Sequence, residues 1–315
     1  MRRLVVRRLL LMVPTLLVVS VLIFLMAEIV PGDVGRSILG PYASPEQVAA
    51  LNHKLGADRP LVERYVRWLG GFVTGDWGES PILQAPVTRV TFESLVNSLL
   101  LAAIALVVIV PTSIVLGVLA ALRRDSLLDR FISVTSLSLT VIPEFVSGVI
   151  LLVLFAVVLP WFPVTASAPP GADLLTRIYH LILPAVPLMF VEMGYIARMA
   201  RAGTLEVLDM PYVRTAVLKG LPQRRVVTRH VLRNGLLSTV TVVGAQVGWL
   251  VGGLVVVEKL FNYPGIGRLM AQAATLHDVK VLEATVLVVA AIYMLSNLTA
   301  DVVVAALSPR VRLGG

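Results

Sequence analysis

The chain has no cysteine among its 315 residues, so neither a disulfide framework nor a thiolate metal site is available to it. Charge is scarce as well. Asp, Glu, Lys and Arg together make up 15% of the sequence, where ordinary soluble domains carry roughly a quarter. Acidic residues are the scarcer sign, 19 against 27 basic ones. The four histidines, His53, His180, His230 and His277, are scattered. No H-x-x-x-H or H-E-x-x-H spacing joins them, which argues against a metal-dependent hydrolase. A G-x-x-x-x-G-K-[ST] phosphate cradle is missing, so the chain is not expected to bind or hydrolyse ATP. Alternating ten-residue segments of the transmembrane-barrel kind are missing too.

Apolar residues fill the space, at 57% of the chain. A soluble domain of this length has too little interior to hide them. Several apolar runs are about 20 residues long, the length a helix needs to cross ~30 Å of hydrocarbon. Each span must satisfy its own backbone, so helices are expected. The reading is an all-α integral membrane protein with six transmembrane helices, near 9–30, 97–122, 131–160, 180–200, 236–257 and 283–307. The first run, about Leu9 to Val30, is too long for the apolar core of a signal peptide and lacks a small-x-small cleavage site, so it reads as a retained span. Pro143 falls near the middle of the third run and predicts a single kinked helix there. Pro184 and Pro187 predict a bend in the fourth.

The net charge of +8 is better explained by topology than by nucleic acid, because basic residues hold loops on the cytoplasmic side. With the N-terminus inside, 17 of the 27 Lys and Arg residues are cytoplasmic. Six of the others lie in the long segment 31–96, and long loops translocate largely regardless of charge. Both termini are therefore expected in the cytoplasm. The chain divides into 1–30 (tail and first helix), 31–96 (an extracytoplasmic helical segment), 97–307 (the helical core, with a cytoplasmic loop at about 201–235) and 308–315 (a cytoplasmic tail). Within 31–96, Ser44-Pro45-Glu46-Gln47 has capping-box spacing and Gly56 is a plausible stop. A second helix is expected from Pro60 to Gly70-Gly71, with Leu61, Tyr65, Trp68 and Leu69 on one face.

Residues 211–234, PYVRTAVLKGLPQRRVVTRHVLRN, carry six basic side chains and no acidic one. Pro211 suits a first helical turn, Asp209 is a candidate cap, and Gly220 followed by Leu221-Pro222 ends the helix. Val213, Ala216 and Val217 are expected on one side. A helix of about nine residues is too short to stand alone and needs a docking surface.

Polar residues inside the spans are costly and tend to face a cavity or a partner. Ser136, Thr140, Pro143, Glu144 and Gln246 are the candidates for lining a translocation path. The competing reading is that Ser and Thr bond their own helix and Gln246 a neighbouring one. Glu192 is expected near the cytoplasmic third of its span, where Arg198 or another loop cation is a possible partner. Gly252-Gly253 offers a close helix approach. An ion-coupled carrier using Glu144 and Glu192 as a proton relay, and a scaffold without transport, are the readings from other classes.

The 211–234 segment resembles the EAA loop of ABC-importer permeases, whose short coupling helix enters a groove on the ATPase subunit. In the dipeptide/oligopeptide/nickel branch the pattern runs approximately D-Y-V-R-T-A-R-A-K-G-L, then a basic stretch and R-H-x-L-R-N. Here it reads Tyr212-Val213-Arg214-Thr215-Ala216, Lys219-Gly220-Leu221 and Arg229-His230-Val231-Leu232-Arg233-Asn234. It departs at Pro211, Val217 and Leu218, which make the docking face more apolar. Val30-Pro31-Gly32-Asp33, Leu55 to Leu61, Gly75 to Ser80, Glu258 to Phe261, Pro264 to Leu269, Asn297, Asp301 and Ser308 to Arg312 are similar to further signatures of the branch. The resemblance covers nearly the whole chain. It implies the type I ABC-importer permease fold of a B-type subunit in the bacterial inner membrane. It also implies a homologous second permease, two ATP-binding subunits carrying ATP and magnesium, an extracytoplasmic solute-binding protein, and surrounding lipid. Tyr212, Val213, Arg214, Thr215, Ala216, Lys219 and Gly220 are then the residues coupled to the ATPase. Cargo would be peptide, with nickel chelates or glutathione-like compounds as alternatives within the branch, and no cofactor is expected in this chain.

Overall fold

The computed structural model describes residues 2–29, 36, 39–40, 42–56 and 58–307. The signature stretches 30–33 and 308–312, and Ala57, lie outside the described residues. Helix α1 (Arg2–Ile29) is followed by two short helices, α2 (Pro45–Leu55) and α3 (Leu61–Thr74), and a minimal antiparallel hairpin of β1 (Glu79–Ser80) and β2 (Ala85–Pro86). The core then comprises α4 (Val87–Leu122), α5 (Leu127–Val141), α6 (Glu144–Leu152) and α7 (Leu174–Leu208). Next come the small α8 (Pro211–Leu218), then α9 (Leu237–Gly253), α10 (Val255–Leu260), α11 (Ile266–Leu276) and α12 (Val279–Leu307).

Among the described residues, four helices are long and apolar enough to cross a membrane: Val5–Met26, Val87–Leu122, Leu174–Leu208 and Val279–Ala306. A fifth crossing is counted if Leu127–Val141 and Glu144–Val158 form one broken span. The expected kink at Pro143 is in fact a break of 95°. The cause is local. Proline pushes the residue before it out of helical geometry, and Ile142 is extended at φ −70°, ψ 119° while Pro143 opens α6. The run expected at 236–257 is divided at Leu254 into the 17-residue α9 and the six-residue α10. By contrast, α7 continues unbroken through Pro184 and Pro187.

The most extensive helix pairings are α4 with α7 and α9 with α12, with α5 also laid along α7 and α1 along α12. Small residues set these distances. A side chain at Gly117 of α4 would collide with Ala197 and Ala200 of α7, and one at Gly244 of α9 with Ala300 of α12. Close approach through small residues replaces the hydrophobic driving force that lipid cannot supply. The main apolar cluster, including Leu101, Leu181, Leu188, Leu250, Leu254 and Phe261, lies toward the end of the bundle where α7 starts.

The segment before α4 caps that same end. Ser44 and Gln47 form the expected capping box, and Gly56 closes α2 at φ +70°. Helix α3 runs past Gly70-Gly71 and stops at Gly75 (φ +86°), so the predicted stop is one turn early. Its inner face is Tyr65, Trp68, Leu69 and Phe72, whereas Leu61 is exposed. Phe24 of α1 meets Tyr65 and Trp68 with ring centroids at 5.4 and 5.7 Å, and the Ser20 and Tyr65 hydroxyls lie 2.7 Å apart. Trp77 then stacks on Phe72 at 4.6 Å.

Candidate functional site

Helix α8 is the short helix expected from the sequence, with a difference at its start. Met210 is its N-cap, and no side chain caps it. Asp209 belongs instead to the C-terminus of α7. At the other end, Gly220 takes φ +72°, one residue beyond Lys219. Eight residues give about 12 Å of rod. Val213 and Ala216 are buried against Val207 at the end of α7 and against Val226 and Val231 farther along the loop. Val217 points the other way from these two, 58% exposed, with Leu218 at 81%. Tyr212, Arg214, Thr215, Lys219 and Gly220 are also exposed, so Val217 and Leu218 stand among polar and basic groups.

The rest of the loop forms the seat. A π-helical turn, Val227–Val231, sits between single α-turns at Gln223–Val226 and Leu232–Gly235. The Tyr212 hydroxyl accepts from Asn234 Nδ2 at 2.9 Å and donates to the His230 carbonyl at 3.5 Å. Thus Tyr212 braces the rod from within, through its ring hydroxyl. His230 contributes its carbonyl to this tie. Gly203 and Gly235 pack backbone to backbone, which fixes the loop against α7.

Close to this end, Asp129 in the first turn of α5 is buried at 3% exposure. Arg201 of α7 clasps it through Nε and Nη2, both at 2.7 Å. The Asp125 backbone N–H donates at 3.0 Å and Ser133 Oγ at 3.3 Å to the same carboxylate. Sequence reasoning passed over this pair, since 72 residues separate its members. Arg201 stands one α-helical turn beyond Ala197, on the seam with α4, and only the helix pairing reveals it.

The intramembrane candidates divide. Ser136 is buried and its hydroxyl has no partner. Thr140 is half-buried and donates to Ser136 O at 2.9 Å and to Val191 O at 3.4 Å. Pro143 is exposed at the α5–α6 break. Glu144 opens α6 with a buried, unpartnered Oε2. Glu192 of α7 is fully buried and neither carboxylate oxygen has a hydrogen-bond partner. It does not pair with Arg198, whose guanidinium lies 5.9 Å from the Tyr195 ring centroid. Gln246 of α9 is half-buried beside Glu192, although no donor reaches that carboxylate in hydrogen-bond geometry.

At the far end of the bundle a third buried carboxylate, Glu258, is well supplied. Ser98 Oγ donates to it, and so does the Arg268 N–H at 2.8 Å, while Ile266 N–H donates to Ser98 Oγ at 2.8 Å. Asn97 bonds the Pro264 carbonyl at 2.9 Å, and the Tyr263 hydroxyl bonds the Asn97 carbonyl at 3.0 Å. The stretch 258–269 is thereby locked onto α4. A cleft of about 950 Å³ opens nearby between α3, the hairpin and the start of α12, with Arg59, Arg67, Trp68, Trp77 and Lys280 among its walls. No sequence pattern points to this cleft, because its walls are far apart along the chain.

Two family models together account for the chain. Residues 1–116 match the N-terminal part of the binding-protein-dependent transport system membrane component, and residues 113–313 match the binding-protein-dependent transport system inner membrane component. The chain belongs to this permease family. It is a transport subunit of the inner membrane and not an enzyme. A Brucella abortus (strain 2308) protein named "Putative peptide transport system permease protein" is 36% identical over 312 residues, 99% of each chain. The "Glutathione transport system permease protein GsiC" of Escherichia coli (strain K12) is 36% identical over 308 residues, 98% of each chain. Both similarities run from end to end.

Proposed function

We propose that this permease subunit imports peptides and receives its energy from separate ATPase subunits through α8. The observation that carries the reading is the posture of that helix. Val213 and Ala216 seat it on its own loop, while Val217 and Leu218 stand outward on a basic rim. An apolar tip exposed in this way suits a groove on a partner protein. Residues Tyr212, Arg214, Thr215, Lys219 and Gly220 complete the coupling element. Arg214, Thr215, Lys219 and Gly220 frame the tip, and Tyr212 holds the rod rigid enough to transmit force.

In this reading, six crossings place both termini and the loop 201–235 in the cytoplasm. Helices α9 and α10 together complete the short fifth crossing, and the segment 31–96 caps the outer face. A second, homologous permease closes the path, since six helices enclose a pore poorly. The path follows Ser136, Thr140, Glu144 and Gln246 at the α5–α6 break. The solute-binding protein docks over the outer cleft, and ATP and magnesium reside on the partners. The names of the two relatives support peptide or glutathione-like cargo. The family match gives no support to an ion-coupled carrier.

The direct test is removal of 211–221 from the complete transporter. Loss of co-purification with the ATPase subunits, or loss of ATP-driven peptide uptake, is expected. Because Val217 and Leu218 are exposed, Leu218→Asp provides a variant that keeps the fold, with the same expected loss of coupling. Unchanged transport in both refutes the proposed role of α8.

A further inference from the structure

Other buried carboxylates of this bundle are supplied with donors: Asp129 by Arg201, Asp125 and Ser133, Glu258 by Ser98 and Arg268, and Asp278 by Ser80. Glu192, between them, has none. Folded proteins satisfy the great majority of buried polar groups, so an orphaned one calls for an occupant that comes and goes. Its surroundings add to the deficit. Thr140 reaches the Val191 carbonyl, and Gly148 of α6 packs on Pro187, one turn earlier on α7. Glu144 opens α6 between these two contacts in the chain, so the 187–191 turn of α7 runs past the break at which Glu144 stands. Glu144 Oε2 and Ser136 Oγ are orphaned as well. Three elements, α5, α6 and α7, thus carry buried side-chain oxygens without a hydrogen-bond partner.

An ionised carboxylate can only accept, so a partner that keeps Glu192 ionised must donate. An opposite charge nearby favours the ionised form, so a positive donor suits the site best. Among the described residues no cationic side chain bonds Glu192. Arg201 is committed to Asp129, and Arg198 rests over Tyr195. From this geometry we infer that Glu192 and Glu144, with Ser136 and Gln246, form a station for a monovalent cationic group, the ammonium of the passing cargo. An ammonium carries three donors, which matches the carboxylates and the hydroxyl. The 95° break at Pro143 gives the station a place to open, because no helical hydrogen-bond ladder has to be broken there. This inference rests on the path proposed above and adds to it a preference of charge.

Because the natural chain has no cysteine, one introduced thiol is the only one on this subunit, and labelling is read on its separated band. Ser136→Cys loses no hydrogen bond, since the hydroxyl has none. The complete transporter carrying this substitution, reconstituted in proteoliposomes, is labelled during ATP turnover with a cationic and an anionic methanethiosulfonate of similar size. Rates are normalised to those for a free thiol in solution. The expected result is a normalised preference of at least about tenfold for the cationic reagent, abolished by Glu192→Gln and weakened by Glu144→Gln. The second variant keeps the test open if the first fails to fold. Methylammonium chloride should slow labelling more than potassium or sodium chloride at equal ionic strength. Labelling without charge preference, or with one that both variants leave intact, overturns the station while sparing the path. Equal protection by potassium or sodium overturns the assignment to a cargo amine in favour of an inorganic cation. A thiol that never reacts in any nucleotide state overturns the path itself.

Discussion

Arg201 and Glu192 sit nine residues apart on the same helix, about 13 Å along its axis, and the surroundings of the two buried carboxylates they mark could hardly differ more. Asp129 receives both arms of Arg201, a backbone N–H and a hydroxyl. Glu192 receives nothing. A bidentate ion pair with its remaining lone pairs satisfied holds one geometry. A buried carboxylate with no donor favours any change that brings one. The first arrangement suits the end of the bundle nearest α8, where motion must be passed on without slack. The second suits the middle of a path, where occupancy must change with every cycle.

Four measurements can break or sharpen this contrast. The largest expected effect comes from Arg201→Ala, which strands a carboxylate that is 3% exposed. Losing one partner of a buried pair costs about 3–5 kcal/mol. The lower figure applies here because the arginine side chain is 30% exposed. Thermal unfolding of the detergent-solubilised assembly should report the loss, and Asp129→Leu combined with Arg201→Leu should recover most of it. Next, Glu258→Ala removes the acceptor shared by Ser98 and Arg268 and should cost about 2 kcal/mol in the same assay. Tyr212→Phe leaves Asn234 without its acceptor at the base of α8. A loss of about 1 kcal/mol is expected, seen as faster proteolysis within 211–234 while the core melts unchanged. Smallest of all should be Glu192→Leu, which removes an unsatisfied group and should leave stability within about 1 kcal/mol of the natural chain, or raise it. If that variant instead melts as early as Arg201→Ala, Glu192 has hidden partners and the contrast fails.

What the sequence made legible was mostly local. Pro211 and Gly220 mark the limits of α8 because each imposes its own backbone angle, and the Ser44–Gln47 box needs only residues three apart. Apolar length gave the long helices. Errors arose where a local rule competed with packing. Gly70-Gly71 reads as a stop, yet α3 continues until Gly75, with Phe72 of the added turn packed between Trp68 and Trp77. Pro143 reads as a kink, but with Ile142 extended before it the chain turns through 95°. Val217 was placed with Val213 and Ala216, and the seat formed by Val226 and Val231 admits only the latter two. The Asp129–Arg201 clasp, the Glu258 network and the outer cleft bring together residues 72 or more positions apart. No periodicity carries that information. Glu192 was noticed as a charge in a span, but its lack of a partner shows only when its neighbours are known.

Everything in the account depends on α8 being the point of contact with the motor. The most direct measurement places a single cysteine at Leu218 in the natural, cysteine-free chain and applies a short bifunctional thiol–amine cross-linker to membranes containing the whole transporter. A cross-link to the ATPase subunit, strengthened or weakened as nucleotide is added, is the predicted result. A Leu218→Cys transporter that pumps peptide at the natural rate while that thiol reacts only with impermeant reagent applied from the outer face would contradict it.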